Sequence, residues 1–286
     1  MNVARTAVGR NESDAEIPGL KARRETLTRA DYLLDNAWHR SRERLVLQEQ
    51  FADPATQRRI AALGSMCGWH CLEVGAGAGS IAQWLCSQVG RDGRVLAIDL
   101  DIRFLSHLRE PGLQVRQGDV VTDELPECAF DLAHARLLLV HLPQREAVVR
   151  KLVRSLKPGG WLLVEERELA PIRHVTTPSY VAAWAALEAV MRAGGVDPTW
   201  AHEMPNLLKR EGLVDVGGEG EFPLFTGGSP MARVFCITWE QMRERMVASG
   251  LIDNDDLTCA MQSLLHTTDW LVAPPTFAAW GRRPSE

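Results

Sequence analysis

Between Leu72 and Ser80 the chain reads Leu-Glu-Val-Gly-Ala-Gly-Ala-Gly-Ser. Glycines at 75, 77 and 79 let the backbone turn tightly and let a ligand approach without meeting a Cβ. A strand-like run precedes this segment and a helix-like run follows it, so the free N–H groups of a helix N-terminus face the same space. Asp99 ends the next strand-like run, with Leu100 beside it. A carboxylate there accepts hydrogen bonds from both hydroxyls of a ribose. Gly118, Asp119 and Val120 close the third run, where an adenine edge can be read. All three groups fall at the carboxyl ends of strands, the place where ligands bind in open α/β sheets. Taken alone, the glycines are equally a tight turn and nothing more.

The spacing narrows the ligand. A dinucleotide fingerprint is Gly-x-Gly-x-x-Gly, but here the third glycine comes one residue early and Ser80 follows it. An acid, Glu73, also precedes Gly75. S-adenosylmethionine (SAM) carries a sulfonium and an α-ammonium but no phosphates, so Glu73 suits it better than a pyrophosphate. Two further groups could move a proton. His141 follows the fourth strand-like run and Glu166 ends the fifth. If both face one crevice, a His oriented by a carboxylate is a general base for a phenol or hydroxyl. The alternative is a His that packs or hydrogen-bonds at the start of a helix.

The elements that position these groups alternate. Strands are expected at His70–Val74, Arg94–Ile98, Leu113–Arg116, Phe130–Ala135 and Trp161–Glu165, the last after a sharp break at Lys157-Pro158-Gly159-Gly160. Helical spacing of Ile81, Trp84, Leu85 and Val89, and of Val149, Leu152, Val153 and Leu156, falls between them. Such alternation implies a parallel sheet covered on both faces, doubly wound through right-handed crossovers. Ahead of it, Leu27 to Gln50 reads as a helix, and Asp53-Pro54 as the start of a second that ends near Leu63. After the fifth strand the pattern loosens. Helices are expected around Tyr180 to Met191, Met204 to Gly212, Pro230 to Ser249 and Asn254 to Thr267. A strand from Val214 to Phe225 is broken at Gly217-Gly218, and a last strand runs from Thr276 to Trp280. The resulting division is a loose arm over 1–25, N-terminal lid helices over 26–63, a ligand-binding core over 64–170, and over 171–286 the rest of the sheet with helical cap insertions.

The ordered set Glu73-x-Gly75-x-Gly77-x-Gly79, Val95-Leu96-Ala97-Ile98-Asp99, Gly118-Asp119, Phe130-Asp131-Leu132-Ala133-His134 and Leu156-Lys157-Pro158-Gly159-Gly160-Trp161-Leu162-Leu163-Val164-Glu165 resembles a class I SAM-dependent methyltransferase. It is similar to the branch that methylates quinones and natural products. The resemblance covers about Leu63 to Glu166. It implies a Rossmann-like, mostly parallel seven-stranded sheet, with SAM as cofactor and S-adenosylhomocysteine as its product. It implies that Gly75, Ala76 and Gly77 pass beneath the methionine part, with Glu73 near the ammonium. Asp99 and Leu100 would serve the ribose, Gly118, Asp119 and Val120 the adenine, and Ala135 and Arg136 the methionine moiety. Tyr32 would close over the cofactor, or else take a core or surface role. Related natural-product enzymes carry a His at the place of His141; O-methylation of a small phenol or hydroxyl in secondary metabolism is the expectation, with C- or N-methylation of a small molecule as the alternative.

The acceptor pocket is expected from the least regular parts, which are rich in Trp38, Trp184, Met191, Phe225, Phe235, Trp239, Met242 and Met246. Such residues line a pocket for a flat apolar molecule, although each taken singly is also ordinary core. Gly194-Gly195 and Gly227-Gly228 are hinges of a lid or plain turns.

Composition sets the outer limits. The formal charge is −5 and no long Lys/Arg run occurs, which argues against nucleic acid as partner. Six cysteines are scattered without a Cys-x-x-Cys pair, the usage of reduced thiols in a cytoplasmic protein and of no metal site. No apolar run approaches a membrane span. A homodimer is the base-rate expectation. An NAD-dependent oxidoreductase shares the fold and an acid like Asp99. A SAM-fold scaffold without catalysis shares every cofactor residue. A nucleic-acid methyltransferase lacks support, because Ala135-Arg136-Leu137-Leu138 stands where an Asn/Asp-Pro-Pro-Tyr motif would be.

Overall fold

The structure is a computed structural model and describes residues 33–169 and 178–285. Five parallel strands come first: β1 (His70–Val74), β2 (Arg94–Asp99), β3 (Leu113–Gln117), β4 (Phe130–Arg136) and β5 (Leu156–Arg167). Then follow β6 (Val214–Glu221), the short β7 (Leu224–Phe225) and β8 (Leu271–Val272), and β9 (Thr276–Arg282). The helices are α1 (Ser41–Ala62), α2 (Ser80–Val89), α3 (Arg145–Ser155), α4 (Pro178–Ala193), α5 (Met204–Arg210), α6 (Pro230–Ala248) and α7 (Asn254–His266).

The main sheet has seven strands in the order β3-β2-β1-β4-β5-β9-β6, with β9 antiparallel to both neighbours. The order reverses between β1 and β4, so a crevice opens at the carboxyl ends of those two strands. β1 and β4 are almost wholly buried, as strands covered on both faces must be. One core packs on each face of the sheet. A third core lies among α4, α6 and α7, with Leu47 of α1 joining it, and forms a cap.

Several boundaries differ from the sequence expectation. Residues 33–40 are turns, and a single helix, α1, runs through Pro54. Pro54 removes one helical donor, but Leu47 before it and Thr56, Arg59 and Ile60 after it are all buried, so tertiary contact holds both halves in line. The Lys157-Pro158-Gly159-Gly160 segment is a bulge inside β5 rather than a break before it. Leu156 already pairs with Phe130, and Trp161 pairs with Leu132. Gly160 permits this, since a Cβ there would lie 2.8 Å from the Phe130 carbonyl oxygen. Gly217-Gly218 likewise lies within β6; a Cβ on Gly217 would lie 2.6 Å from the Trp280 ring. The β7–β8 ribbon, two residues a side, was not anticipated. Gly194-Gly195 and Gly227-Gly228 are turns at helix ends. Gly194 N–H donates to Val190 at the end of α4, and a Cβ on Gly227 would lie 2.3 Å from the Thr267 carbonyl oxygen.

Candidate active site

A single cleft follows the strand ends and continues beneath the cap. Its first half is made by backbone. Gly75, Gly77 and Gly79 have φ of 72°, 60° and 98°, the left-handed region that glycine enters without strain. Gly75 N–H and Ala76 N–H both donate to the Ile98 carbonyl, which ties the turn to β2. Asp99 completes the tie: its Oδ2 accepts from Gly77 N–H at 3.0 Å and its Oδ1 from Asp101 N–H at 2.9 Å. Burial raises the Asp99 carboxyl above its usual range, against these two hydrogen bonds. The 118–123 turn is fixed in the same manner. Asp119 Oδ1 accepts from Val121 N–H, and Lys151 Nζ donates to the carbonyls of Val120, Val121 and Asp123.

Glu73, Gly75, Ala76, Gly77, Asp99, Leu100, Gly118, Asp119, Val120, Arg136 and His141 all line the cleft. Ala135 does not; it is fully buried in the sheet core. Tyr32 lies outside the described residues. Arg136 lines the wall but is committed to α1, donating to Asp53 Oδ1 and Thr56 Oγ1, each at 2.8 Å. Glu166 departs from expectation. It is wholly buried beneath the cleft, and its Oε1 accepts from Leu138 and Leu139 N–H at 3.0 and 2.6 Å. The side chain alternates away from the crevice and holds the 137–141 turn, in which Leu137 takes a φ of 54°. Burial pushes its pKa up to about 8. His141 sits on that turn and faces the cleft. Burial first, and then the Arg44 charge, bring its pKa down to about 4, so it is neutral at physiological pH.

The sequence reading passed over a buried charge network behind the glycine turn. His134 stands between two carboxylates, with Nδ1 2.6 Å from Glu73 Oε2 and Nε2 3.2 Å from Glu165 Oε2. Glu165 also accepts from Thr56 and Arg59 of α1, and Arg59 continues to Glu219 and Glu221 on β6. Burial opposes the charge on His134, but the two glutamates outweigh it and raise its pKa to about 9. Burial likewise opposes the Glu165 charge, but His134, Arg59 and Thr56 outweigh it and bring its pKa down to about 2. A signal was present in the strands: Glu73 and His134 fall opposite each other in register on β1 and β4, and Glu165 lies on the next strand, two residues along from the Leu163 that pairs with His134.

The second half of the cleft is made by side chains. Arg44 comes from α1, Arg167 and Leu169 from β5 and just beyond, Trp184, Leu187 and Met191 from α4, and Val234, Phe235 and Thr238 from α6. Trp184 and Phe235 meet edge to face, with centroids 4.8 Å apart. Of the other aromatic and Met residues expected here, Phe225, Trp239, Met242 and Met246 are buried in the cap core and do not line the cleft. Trp38 packs against that core from outside.

The comparisons with known proteins agree with this geometry. Residues 72–164 match the family model described as a methyltransferase domain. The structure also superposes on the phosphoethanolamine N-methyltransferase 2 of Haemonchus contortus, solved with phosphomonomethylethanolamine and S-adenosylhomocysteine. The TM-score is 0.56 at 15% identity, over 91% of this chain and 61% of that one.

The chain carries the class I SAM-dependent methyltransferase fold.

Its curated relatives include methyltransferase str2 of Strobilurus tenacellus, 29% identical over 175 residues, covering 57% of this chain and 63% of the relative. A phosphoethanolamine N-methyltransferase of Triticum aestivum is 28% identical over 217 residues, covering 74% of this chain and 40% of the relative. The chain thus spans less than two thirds of the length of each. These relatives share the methyltransferase class and not one branch within it.

The cofactor of this fold, SAM, is consistent with the donor set. The glycine turn leaves a cradle that side chains would fill. Glu49 of α1 places Oε1 3.2 Å from Ser80 N at the start of α2. A carboxylate therefore already occupies the helix N-terminus where a dinucleotide would lodge its pyrophosphate. Acidic Glu49, Glu73 and Asp99 around one cradle suit a cationic, phosphate-free ligand.

Proposed function

We propose that this chain is an enzyme that transfers a methyl group from SAM to a small-molecule acceptor, and that the acceptor has a flat, apolar body. One observation carries the reading: a glycine cradle with a ribose-type acid continues, in the same cleft, into a part walled by Trp184, Met191 and Phe235. When bound, SAM supplies a methyl group already activated for in-line displacement.

The chain's task is then placement and exclusion of water. Gly75, Ala76 and Gly77 form the floor beneath the methionine part, and Glu73 faces its ammonium. Asp99 and Leu100 hold the ribose, and Gly118, Asp119 and Val120 flank the adenine. Arg136 clamps α1 over the cleft through Asp53 and Thr56. Trp184 and Phe235 orient the acceptor ring, and the cap helices keep solvent out. Neutral His141 is placed to take a hydrogen bond or proton from an acceptor hydroxyl, which favours O-methylation over transfer to nitrogen or carbon. A His with its pKa held near 4 is a weak base, so its contribution is positional as well as chemical.

Calorimetric titration with SAM, S-adenosylhomocysteine and NADH tests the cofactor. Micromolar binding of the two adenosyl ligands alone is expected. A folded sample, free of carried-over ligand, that binds neither would remove the enzyme reading and leave a scaffold. Once an acceptor is found, His141→Ala tests the base: activity within a few-fold of wild type removes it from that role.

A further inference from the structure

The acceptor half of the cleft contains a cation that has no hydrogen-bonding or ion-pair partner among the described residues. Arg167 ends β5 and faces this compartment. Its guanidinium lies between two rings, with Cζ 5.6 Å from the centroids of both Phe51 and Phe235. Among the described residues no hydrogen bond or ion pair reaches it, and its Nε is buried without a partner.

The neighbouring groups do not supply the missing charge. Glu166 directs Oε1 at the backbone of Leu138 and Leu139 and stays protonated up to about pH 8. The Tyr180 hydroxyl donates to the Val272 carbonyl, and burial pushes its pKa upward, so it is neutral. Arg136 is already paired with Asp53. Arg44 adds a second positive side chain to the same lining. Burial first, with Arg136 and Arg44 adding repulsion, brings the Arg167 pKa down to about 10, which leaves it a cation at physiological pH.

A guanidinium offers planar, forked donors that match a carboxylate or a phosphate. With its Nε buried and without such a partner it carries a desolvation cost, and an anion entering the compartment relieves that cost. The rings on either side limit the partner to a group small enough to meet the fork edge-on, attached to an apolar body that contacts Phe235 and Trp184.

We propose that the acceptor carries an anionic group, a carboxylate or a phosphate, and that Arg167 receives it. This rests on the acceptor assignment above and narrows it, since an apolar body alone leaves Arg167 unexplained. Arg167 then sets which end of the acceptor points away from the cofactor.

The test uses the full chain saturated with S-adenosylhomocysteine. It is titrated with benzoate against benzamide, with phenyl phosphate against phenol, and with inorganic phosphate. Wild type should bind at least one anion about tenfold more tightly than its neutral counterpart. Preference for benzoate identifies a carboxylate, and preference for phenyl phosphate or inorganic phosphate identifies a phosphate. Arg167→Met should erase the preference and Arg167→Lys should keep part of it. Both variants should bind S-adenosylhomocysteine as wild type does, which shows that they are folded. The ligand-free Arg167→Met protein should also melt no lower than wild type, because a half-buried charge whose Nε has no partner has been removed. Equal binding of neutral and anionic probes, no anion bound by the loaded chain, or a preference that survives Arg167→Met would each overturn the proposal. Loss of S-adenosylhomocysteine binding by wild type is a separate result that removes the cofactor reading itself.

Discussion

The two halves of the cleft are built on different principles. In the cofactor half, the groups that shape the site are backbone: three glycines at positive φ, and N–H groups held by Asp99, Asp119 and Glu166. In the half proposed for the acceptor they are side chains, contributed by α1, β5, α4 and α6 from points far apart in the chain. Behind the first half lies a network of paired charges; within the second lies a guanidinium with no charged partner among the described residues. On the proposed assignment, the contrast follows from constancy of ligand. A site for one invariant cofactor can be closed and neutralised by the protein alone. A site for an acceptor keeps donors open until the acceptor arrives.

Four substitutions test that contrast, the largest effect first. His134→Gln leaves Glu73 and Glu165 buried without the cation between them, and should cost about 3–5 kcal/mol of stability. The folded pKa of His134, about 9, lies above its ordinary 6.5. Its contribution is therefore complete below pH 6.5 and disappears as pH rises through 9. Urea melts across that interval should show wild type and variant converging at high pH; a constant gap would mean that packing, not charge, is lost.

Asp99→Ala removes a carboxylate that would meet two ribose hydroxyls, and should weaken S-adenosylhomocysteine by about 3 kcal/mol, roughly a hundredfold. Calorimetry reads this directly, and an unchanged affinity would move the ribose elsewhere in the cleft. Glu166→Gln acts with the opposite sign. The unfolded chain loses this proton near pH 4.5 and the folded chain only near 8, so wild-type stability falls as pH rises between them. The variant keeps an acceptor for Leu138 and Leu139 without the charge. It should exceed wild type by roughly 2 kcal/mol at pH 8 and match it below pH 4.5; equal melting at both pH values would show that Glu166 titrates normally. Gly79→Ala is the mildest. Its Cβ would lie 2.6 Å from Leu108 Cδ1 at a φ of 98°, yet both leucines that it meets can rotate, so about 1 kcal/mol is expected. A thermal shift with no change in cofactor affinity would place the cost in backbone strain alone.

Much of the cofactor half could be read directly. Glu73, Gly75, Gly77, Asp99 and Asp119 lie at strand ends, where local alternation marks both the strand and its end, and all five line the cleft. The fold was equally legible, because five strands and their helices recur in register with the apolar pattern. Local signals failed where a tertiary contact overrode them. Pro54 looks like a helix start but lies mid-helix. Lys157 to Gly160 looks like a break but is a bulge. Glu166 looks like a member of the site but turns beneath it.

The sequence by itself therefore determined the sheet, the glycine cradle and the acids around it, since each depends on residues close in the chain. Only the tertiary structure decided which side of β5 carries Glu166 and which carries Arg167. It alone brought His134 between Glu73 and Glu165, and Arg167 between Phe51 and Phe235. The physical reason is that charge and aromatic contacts act over a few ångströms of space, whatever length of chain separates the partners.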